Sequence, residues 1–162
     1  MKLHNDKEKF IEAIIATSKM YGFDPALIEK DYFVTLFLKK AVERIPGLVF
    51  KGGTSLSKCY NLIDRFSEDI DLTLDEEHFT QSKKRKSIKD LILICDELNL
   101  NLINKEKIEN HTHGNYNCYN ICYPIMFPSE DIKTELKVEM TYIQKCYPYE
   151  KRSATSYIGE FF

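Results

Sequence analysis

The sequence predicts an α+β fold: a mixed β-sheet flanked by helices, with two helices leading into it. Three observations carry this reading. Residues 5–45 hold two stretches whose apolar residues recur at helical spacing. Segments 69–74 and 132–143 alternate apolar and polar with the period of two of a half-buried strand. Between them, a short apolar strand runs into Gly52-Gly53 and a helix start. With no internal repeat, low-complexity tract or linker, residues 1–162 read as one domain. It divides into a helical lead-in over 1–47, a core over 48–143, and a segment 144–162 that begins a further part.

Each element follows from local signals. Phe10, Ile11, Ile14 and Ile15 share a helical stripe, and Gly22 is placed to end the helix of residues 5–22. Asp24-Pro25 opens a second helix, with Asp as N-cap and Pro at the first helical position, and Pro46-Gly47 stops it. Residues 48–50 form a buried strand, Gly52-Gly53 turns it, and a helix begins near Thr54. In 69–74, Ile70, Leu72 and Leu74 face one way and Asp69, Asp71 and Thr73 the other. Residues 80–98 read as one helix, "QSKKRKSIKD" leading into "LILICDEL". Strands are predicted over 98–103, 116–127 and 132–143. The second is rich in β-formers and runs to Pro128; in the third, Leu136, Val138 and Met140 oppose Glu135, Lys137, Glu139 and Thr141.

Charge is nearly balanced, 23 Lys and Arg against 25 Asp and Glu, which argues against a general polyanion binder but leaves room for a local basic patch. An apolar content of 43% places the chain among globular proteins rather than disordered ones. The start "MKLHNDKEKF" lacks the apolar stretch of a signal peptide, and no window approaches the roughly 18 apolar residues of a membrane span. A cytoplasmic protein with no membrane partner is expected, its five scattered cysteines being free thiols in a reducing compartment.

The chemistry concentrates at residues 51–74. Residues two apart on a strand point the same way, so Asp69 and Asp71 present two carboxylates side by side. Unpaired on a half-buried strand they repel, at a desolvation cost on the order of several kcal/mol. A divalent cation relieves this, and Mg²⁺ (or Mn²⁺) takes a few carboxylates plus substrate phosphates rather than a closed protein cage. Upstream, a strand, a Gly-Gly turn and a helix N-terminus leave backbone N–H groups for phosphate oxygens. Gly52 and Gly53 allow close approach, and Thr54 and Ser55 add hydroxyls. The P-loop lysine pattern is not matched. A two-metal site wants a third carboxylate from a neighbouring strand; Glu139 is the first candidate and Glu135, on the same face, the second. Alone, Asp-x-Asp is a solvated strand edge and Gly-Gly-Thr an ordinary turn. Their order, with thirteen residues between Ser55 and Asp69, makes them one site.

At "FKGGTSLSKCYNLIDRFSEDIDLTL" (residues 50–74) the sequence resembles the AbiEii/AbiGii-type toxin nucleotidyltransferases, a branch of the polymerase-β-like nucleotidyltransferase superfamily. "IEKDYFVT" (28–35) is similar to that family's lead-in helix, and "LKVEM" (136–140) to its third-carboxylate strand; the likeness covers roughly residues 25–143. The resemblance implies a nucleotidyltransferase-like sheet and Mg²⁺-dependent transfer of a nucleoside monophosphate from an NTP to an acceptor hydroxyl. That acceptor would be a tRNA end or a protein, and the setting a toxin–antitoxin or phage-defence system with a cognate antitoxin as partner. Residue by residue, it implies that Gly53 and Ser55 contact the nucleotide phosphates, Asp69 and Asp71 hold Mg²⁺, and Glu139 completes the metal site and helps activate the acceptor hydroxyl. Arg65 matches a recurrent family arginine, with local pairing to Glu68 or a helix C-terminus as the alternative. Lys51 stands at the phosphate side of the turn, with an ordinary surface lysine as the alternative. Family members carry a C-terminal helical part with a further lysine-bearing motif, and none follows Ile143 here. The expectation is therefore an N-terminal portion of a longer protein or a reduced member. Two rival readings stand beside this one: nucleotidylation of a small molecule, and a truncated, non-catalytic module that binds nucleotide or a partner.

Other motifs are read as structural. His111, His113, Cys118 and Cys122 fit no compact zinc pattern, and on a strand Cys118 and Cys122 stand about 13 Å apart. The run Lys83-Lys84-Arg85-Lys86 reads as a solvated helix face, with an RNA-backbone contact as the alternative.

Overall fold

A computed structural model of the chain describes residues 2–60, 62, 69–75, 79–110, 114–142 and 148–161. After a 3-10 turn at Leu3–Asn5, helix α1 spans Lys7–Tyr21 and α2 spans Pro25–Arg44. Gly22 and Asp24 act as the predicted end and cap, and Asp6 adds a cap that the sequence reading did not name. The Asp6 and Asp24 carboxylates accept the Lys9 and Ala26 N–H groups, and Gly22, at φ 71°, returns its N–H to the Ser18 carbonyl. The chain continues through β1 (Leu48–Lys51), α3 (Gly52–Tyr60), β2 (Asp69–Leu74), α4 (Gln81–Leu98), β3 (Asn101–Leu102), α5 (Lys105–Asn110), β4 (Tyr116–Cys122), β5 (Glu135–Thr141) and α6 (Tyr157–Phe161).

The strands form one mixed sheet in the order β1-β2-β5-β4-β3, parallel between β2 and β5 and antiparallel at the other pairings. One face is the core. Ile70 and Leu72, Leu136, Val138 and Met140, and Tyr119 and Ile121 are all fully buried there and cluster with Phe33 and Phe37 of α2 and Leu91 and Ile94 of α4. Burial of each such side chain contributes about 1.5–3 kcal/mol before chain entropy is counted. By alternation, Asp69, Asp71, Lys137, Glu139, Cys118 and Asn120 fall on the opposite, half-buried face.

The predicted strands are longer than the observed ones, for identifiable reasons. β4 ends at Cys122, well before Pro128, because Pro124 interrupts the ladder first. Beyond it, Tyr123 stacks on Phe33 at 4.7 Å, and the Met126 and Phe127 N–H groups donate to the Glu29 carboxylate at 2.8 and 3.1 Å. β3 has two residues instead of six. Asn99 closes α4 in the left-handed region at φ 55°, and the Asn104 amide then bonds Cys118 O and Asn120 N in place of further ladder. β5 starts at Glu135 rather than residue 132; its expected end at Ile143 lies outside the described residues. α5 went unpredicted because Ile108 alone among its six residues is buried, too little to set a period.

Helix α2 carries three consecutive buried charges. Glu29 holds the segment after β4, Lys30 donates to the Lys133 carbonyl at 2.8 Å, and Asp31 pairs with Lys58 of α3 while accepting the Tyr157 N–H of α6 at 2.8 Å. "IEKDYF" is thus the hub that ties α3, α6 and the β4–β5 connection to one helix. Burial raises the proton affinity of both Glu29 and Asp31.

The run at 83–86 is solvated at three positions only. Lys84 points inward and is fully buried, its Nζ 5.1 Å from the centre of the Tyr142 ring and without a hydrogen-bond partner among the described residues. Burial lowers its proton affinity, so the folded state binds fewer protons than the unfolded one and stability rises with pH toward the free lysine range. Lys84→Met is expected to stabilise the fold by about 1 kcal/mol at neutral pH. Denaturant midpoints compared between the two proteins should converge as the pH approaches 10; parallel curves would contradict the buried charge.

No helix among the described residues is long and apolar enough to cross a membrane. Cys59, Cys95, Cys118 and Cys122 are free thiols, and Cys146 lies outside the described residues.

Candidate functional site

The chain passes from β1 into α3 without an intervening turn, because Gly52 bends it at φ 75°. That conformation favours glycine, and here the missing Cβ is used. A Cβ on Gly52 would lie 2.0 Å from Asp71 Oδ2, so the Asp71 carboxylate rests directly against the opening of α3. The Thr54 hydroxyl, buried, donates to the Asp69 carbonyl and pins the first turn of α3 to the start of β2. Ser55 Oγ donates to the Gly52 carbonyl at 2.8 Å. Both hydroxyls therefore hold the shape of the turn. Gly53 follows Gly52 in the same first turn, and Lys51 stands across the β1–β2 ladder from Asp71.

Parallel pairing of β2 with β5 sets Asp71 opposite Glu139 and Asp69 opposite Lys137. Three carboxylates thus share one face of two adjacent strands, beside the start of α3. Glu135 shares that face but pairs with Cys122 and stands about 13 Å along β5 from Glu139. Lys137 lies among the acids: its ammonium is 3.3 Å from Asp69 Oδ2 and forms a tight ion pair with Glu139 Oε1. Tyr116, from β4, stands beside Glu139 across the β4–β5 ladder.

The electrostatics follow from these neighbours. Burial, then the Glu139 and Asp69 charges, raises the proton affinity of Asp71, against the opposing pull of Lys51 and Lys137. The hydrogen bond from Lys137, supported by Tyr116, holds the Glu139 carboxyl below its usual range, and the same bond strengthens the hold of Lys137 on its proton. Among the described residues, no three His, Cys, Asp or Glu side chains converge on a point where a metal would sit. Asp69 and Glu139 instead turn toward the Lys137 ammonium, which marks where this face holds positive charge. The donor set consists of carboxylate oxygens, the chemistry that a hard divalent cation takes.

Sequence reasoning passed over Lys137 and Tyr116. Lys137 carried a signal, since it lies on the alternating face two residues before Glu139. Tyr116 carried none, because its place beside Glu139 depends on the β4–β5 register. Arg65 and Glu68 lie outside the described residues, as do His111 and His113.

A carboxylate pair one strand beyond a Gly-Gly helix start, with a third carboxylate on the parallel strand beside it, defines a nucleotidyltransferase-like α+β domain. The model of the family described as nucleotidyl transferase AbiEii toxin, type IV toxin–antitoxin system, matches residues 36–162, and the chain belongs to that family. The match takes in residues 144–162 and begins directly after "IEKDYFVT". No curated protein and no solved structure matches the chain.

Proposed function

We propose that the protein is a Mg²⁺-dependent nucleotidyltransferase that moves a nucleoside monophosphate from an NTP to an acceptor hydroxyl, acting as a toxin restrained by a cognate antitoxin. The observation that carries this reading is the β2–β5 register, which brings Glu139 level with Asp71 beside the start of α3. Asp69, Asp71 and Glu139 would hold Mg²⁺, which supplies charge neutralisation at the phosphates when bound. The first-turn N–H groups of α3 at Gly52 and Gly53 bind phosphate oxygens, aided by the helix dipole. Lys51, across from Asp71, adds positive charge on the same side. The acceptor oxygen bonds to the α-phosphorus, the bond to pyrophosphate breaks, and the acceptor proton passes to the Glu139 carboxylate. Positioning and electrostatic stabilisation supply most of the rate.

Calorimetric titration of each NTP, with and without Mg²⁺, into the wild type and Asp71→Asn tests the reading. Saturable binding is expected only with Mg²⁺ and only in the wild type, followed by transfer of labelled nucleotide to an acceptor. Asp71→Asn should melt no lower than the wild type without metal, because burial and neighbouring acids already disfavour the charge it removes. Loss of binding is then not loss of fold. Binding indifferent to Mg²⁺, or equal in the two proteins, would reject the transfer site in favour of a non-catalytic module.

A further inference from the structure

A cation stands inside the acidic face of the sheet. On β5, Lys137 points the same way as Glu139, and the β2–β5 register sets it level with Asp69. Its ammonium is 3.3 Å from Asp69 Oδ2 and pairs tightly with Glu139 Oε1, so one group neutralises carboxylates on two strands. An ordinary surface ion pair joins side chains that have no other work, and it contributes little. Here both acids belong to the set that a divalent cation would need. The oxygens turned to the ammonium are donor atoms that the metal would take.

Two cations cannot share these oxygens. A Mg²⁺ ion held by both carboxylates lies about 2.0–2.1 Å from each donor oxygen. An ammonium on the same atoms would then stand against it, like charge facing like charge. Lys137 and the divalent ion are therefore alternative partners of one pair of acids. Lys137 is suited to give way, being a compact charge on a flexible four-carbon stem with its side chain 42% exposed.

The displaced charge has a destination on the same face. The Thr54 hydroxyl ties the first turn of α3 to the Asp69 carbonyl. The N–H groups suited to phosphate thus lie next to the residue that Lys137 faces across the ladder. A triphosphate seated there brings anionic oxygens to the ammonium, which exchanges carboxylates for phosphate and is never left unpaired.

We propose that Lys137 is a tethered counter-ion of the transfer site. It holds Asp69 and Glu139 in the free protein, yields them to the divalent cation, and then pairs with the phosphates of the nucleotide. It thereby couples the two ligands, disfavouring metal alone and favouring metal with nucleotide. The proposal rests on the transfer reading above and adds the residue that makes metal and NTP bind as a pair.

Lys137→Met removes the charge from a side chain of similar length, and Lys137→Arg keeps the charge. Mn²⁺ is titrated without nucleotide into each variant and the wild type, and the unbound ion is followed by electron paramagnetic resonance. Lys137→Met is expected to bind Mn²⁺ about tenfold more tightly than the wild type, the equivalent of about 1.4 kcal/mol released from two half-exposed ion pairs. Calorimetry with each NTP at saturating Mg²⁺ should show the opposite sign, about tenfold weaker binding in Lys137→Met. Lys137→Arg should resemble the wild type in both measurements. In EDTA, Lys137→Met should melt below the wild type, because Asp69, Asp71 and Glu139 then face one another without it. Mn²⁺ should raise its melting temperature by more than it raises that of the wild type.

Equal Mn²⁺ affinity in the wild type and Lys137→Met would reduce the contact to a surface salt bridge and overturn the proposal. Weaker Mn²⁺ binding in Lys137→Met would also overturn it, making the lysine a support of the metal's ligands rather than their competitor. An unchanged affinity for NTP would overturn it as well. Each of these results leaves the transfer reading standing. Absence of both Mn²⁺ and NTP binding from the wild type and Lys137→Met alike rejects the transfer site itself, and the exchange with it.

Discussion

Asp31→Ala is expected to be the most destabilising single change on α2, by about 3–5 kcal/mol. Asp31 is 1% exposed, and its carboxylate has two duties: one oxygen pairs with the Lys58 ammonium, and the other accepts the Tyr157 N–H at 2.8 Å. Its removal leaves a nearly buried ammonium without its counter-ion and the start of α6 without an acceptor. Among the described residues, the ammonium keeps the Thr35 hydroxyl at 2.9 Å and the Thr155 carbonyl at 3.2 Å. Burial is the largest influence on Asp31 and raises its proton affinity against the pull of Lys58. Desolvation thus consumes most of what the pair gains. A double variant, Asp31→Leu with Lys58→Met, should therefore be milder than Asp31→Ala, because no charge remains stranded. Urea midpoints of the three proteins decide this; a double variant as unstable as the single one would mean that the bond to Tyr157, not the stranded charge, sets the cost.

The charged segment "IEKDYF" shows where a sequence stops being informative. Consecutive residues on a helix point about 100° apart, so Glu29, Lys30 and Asp31 cannot share one face. Their joint burial requires α2 to be enclosed on several sides, a tertiary fact with no local mark. Lys84 differs. It lies at helical spacing from Ile88, Leu91 and Cys95, so the buried stripe of α4 passed through it in plain view, and the surrounding lysines hid it. In the strands, alternation displayed which residues of β2 and β5 share a face, and that made Asp69, Asp71 and Glu139 candidates. The register was not legible, since it is set by contacts between segments 68 residues apart in sequence. The pairing of Lys137 with Asp69 and the approach of Tyr116 to Glu139 could be found only in three dimensions. Pro124 was legible as a strand breaker and was passed over for Pro128; the β-forming residues between them, Ile125 to Phe127, favoured a strand that the Glu29 carboxylate prevents.

Gly52→Ala is expected to damage stability and the site together. The backbone at φ 75° costs an L-residue about 1–2 kcal/mol, and this strain would remain whatever the neighbours did. The added methyl also meets Asp71 at three atoms, 2.0 Å from Oδ2, 2.9 Å from Cγ and 3.1 Å from Cβ. Rotation of the carboxylate relieves only the first of these, so β2 or α3 must move, at a further cost of about 1–3 kcal/mol. Movement of either element separates Asp71 from the first-turn N–H groups of α3, and Mg²⁺-dependent NTP binding should be lost even where the protein remains folded. Asp71→Ala in the Gly52→Ala background separates the two contributions. With the carboxylate gone, the double variant should recover the packing cost and retain only the backbone strain, making it more stable than Gly52→Ala although it carries two substitutions. If the double variant melts no higher than Gly52→Ala, the Asp71 carboxylate does not bear on Gly52, and glycine is needed there for its backbone alone.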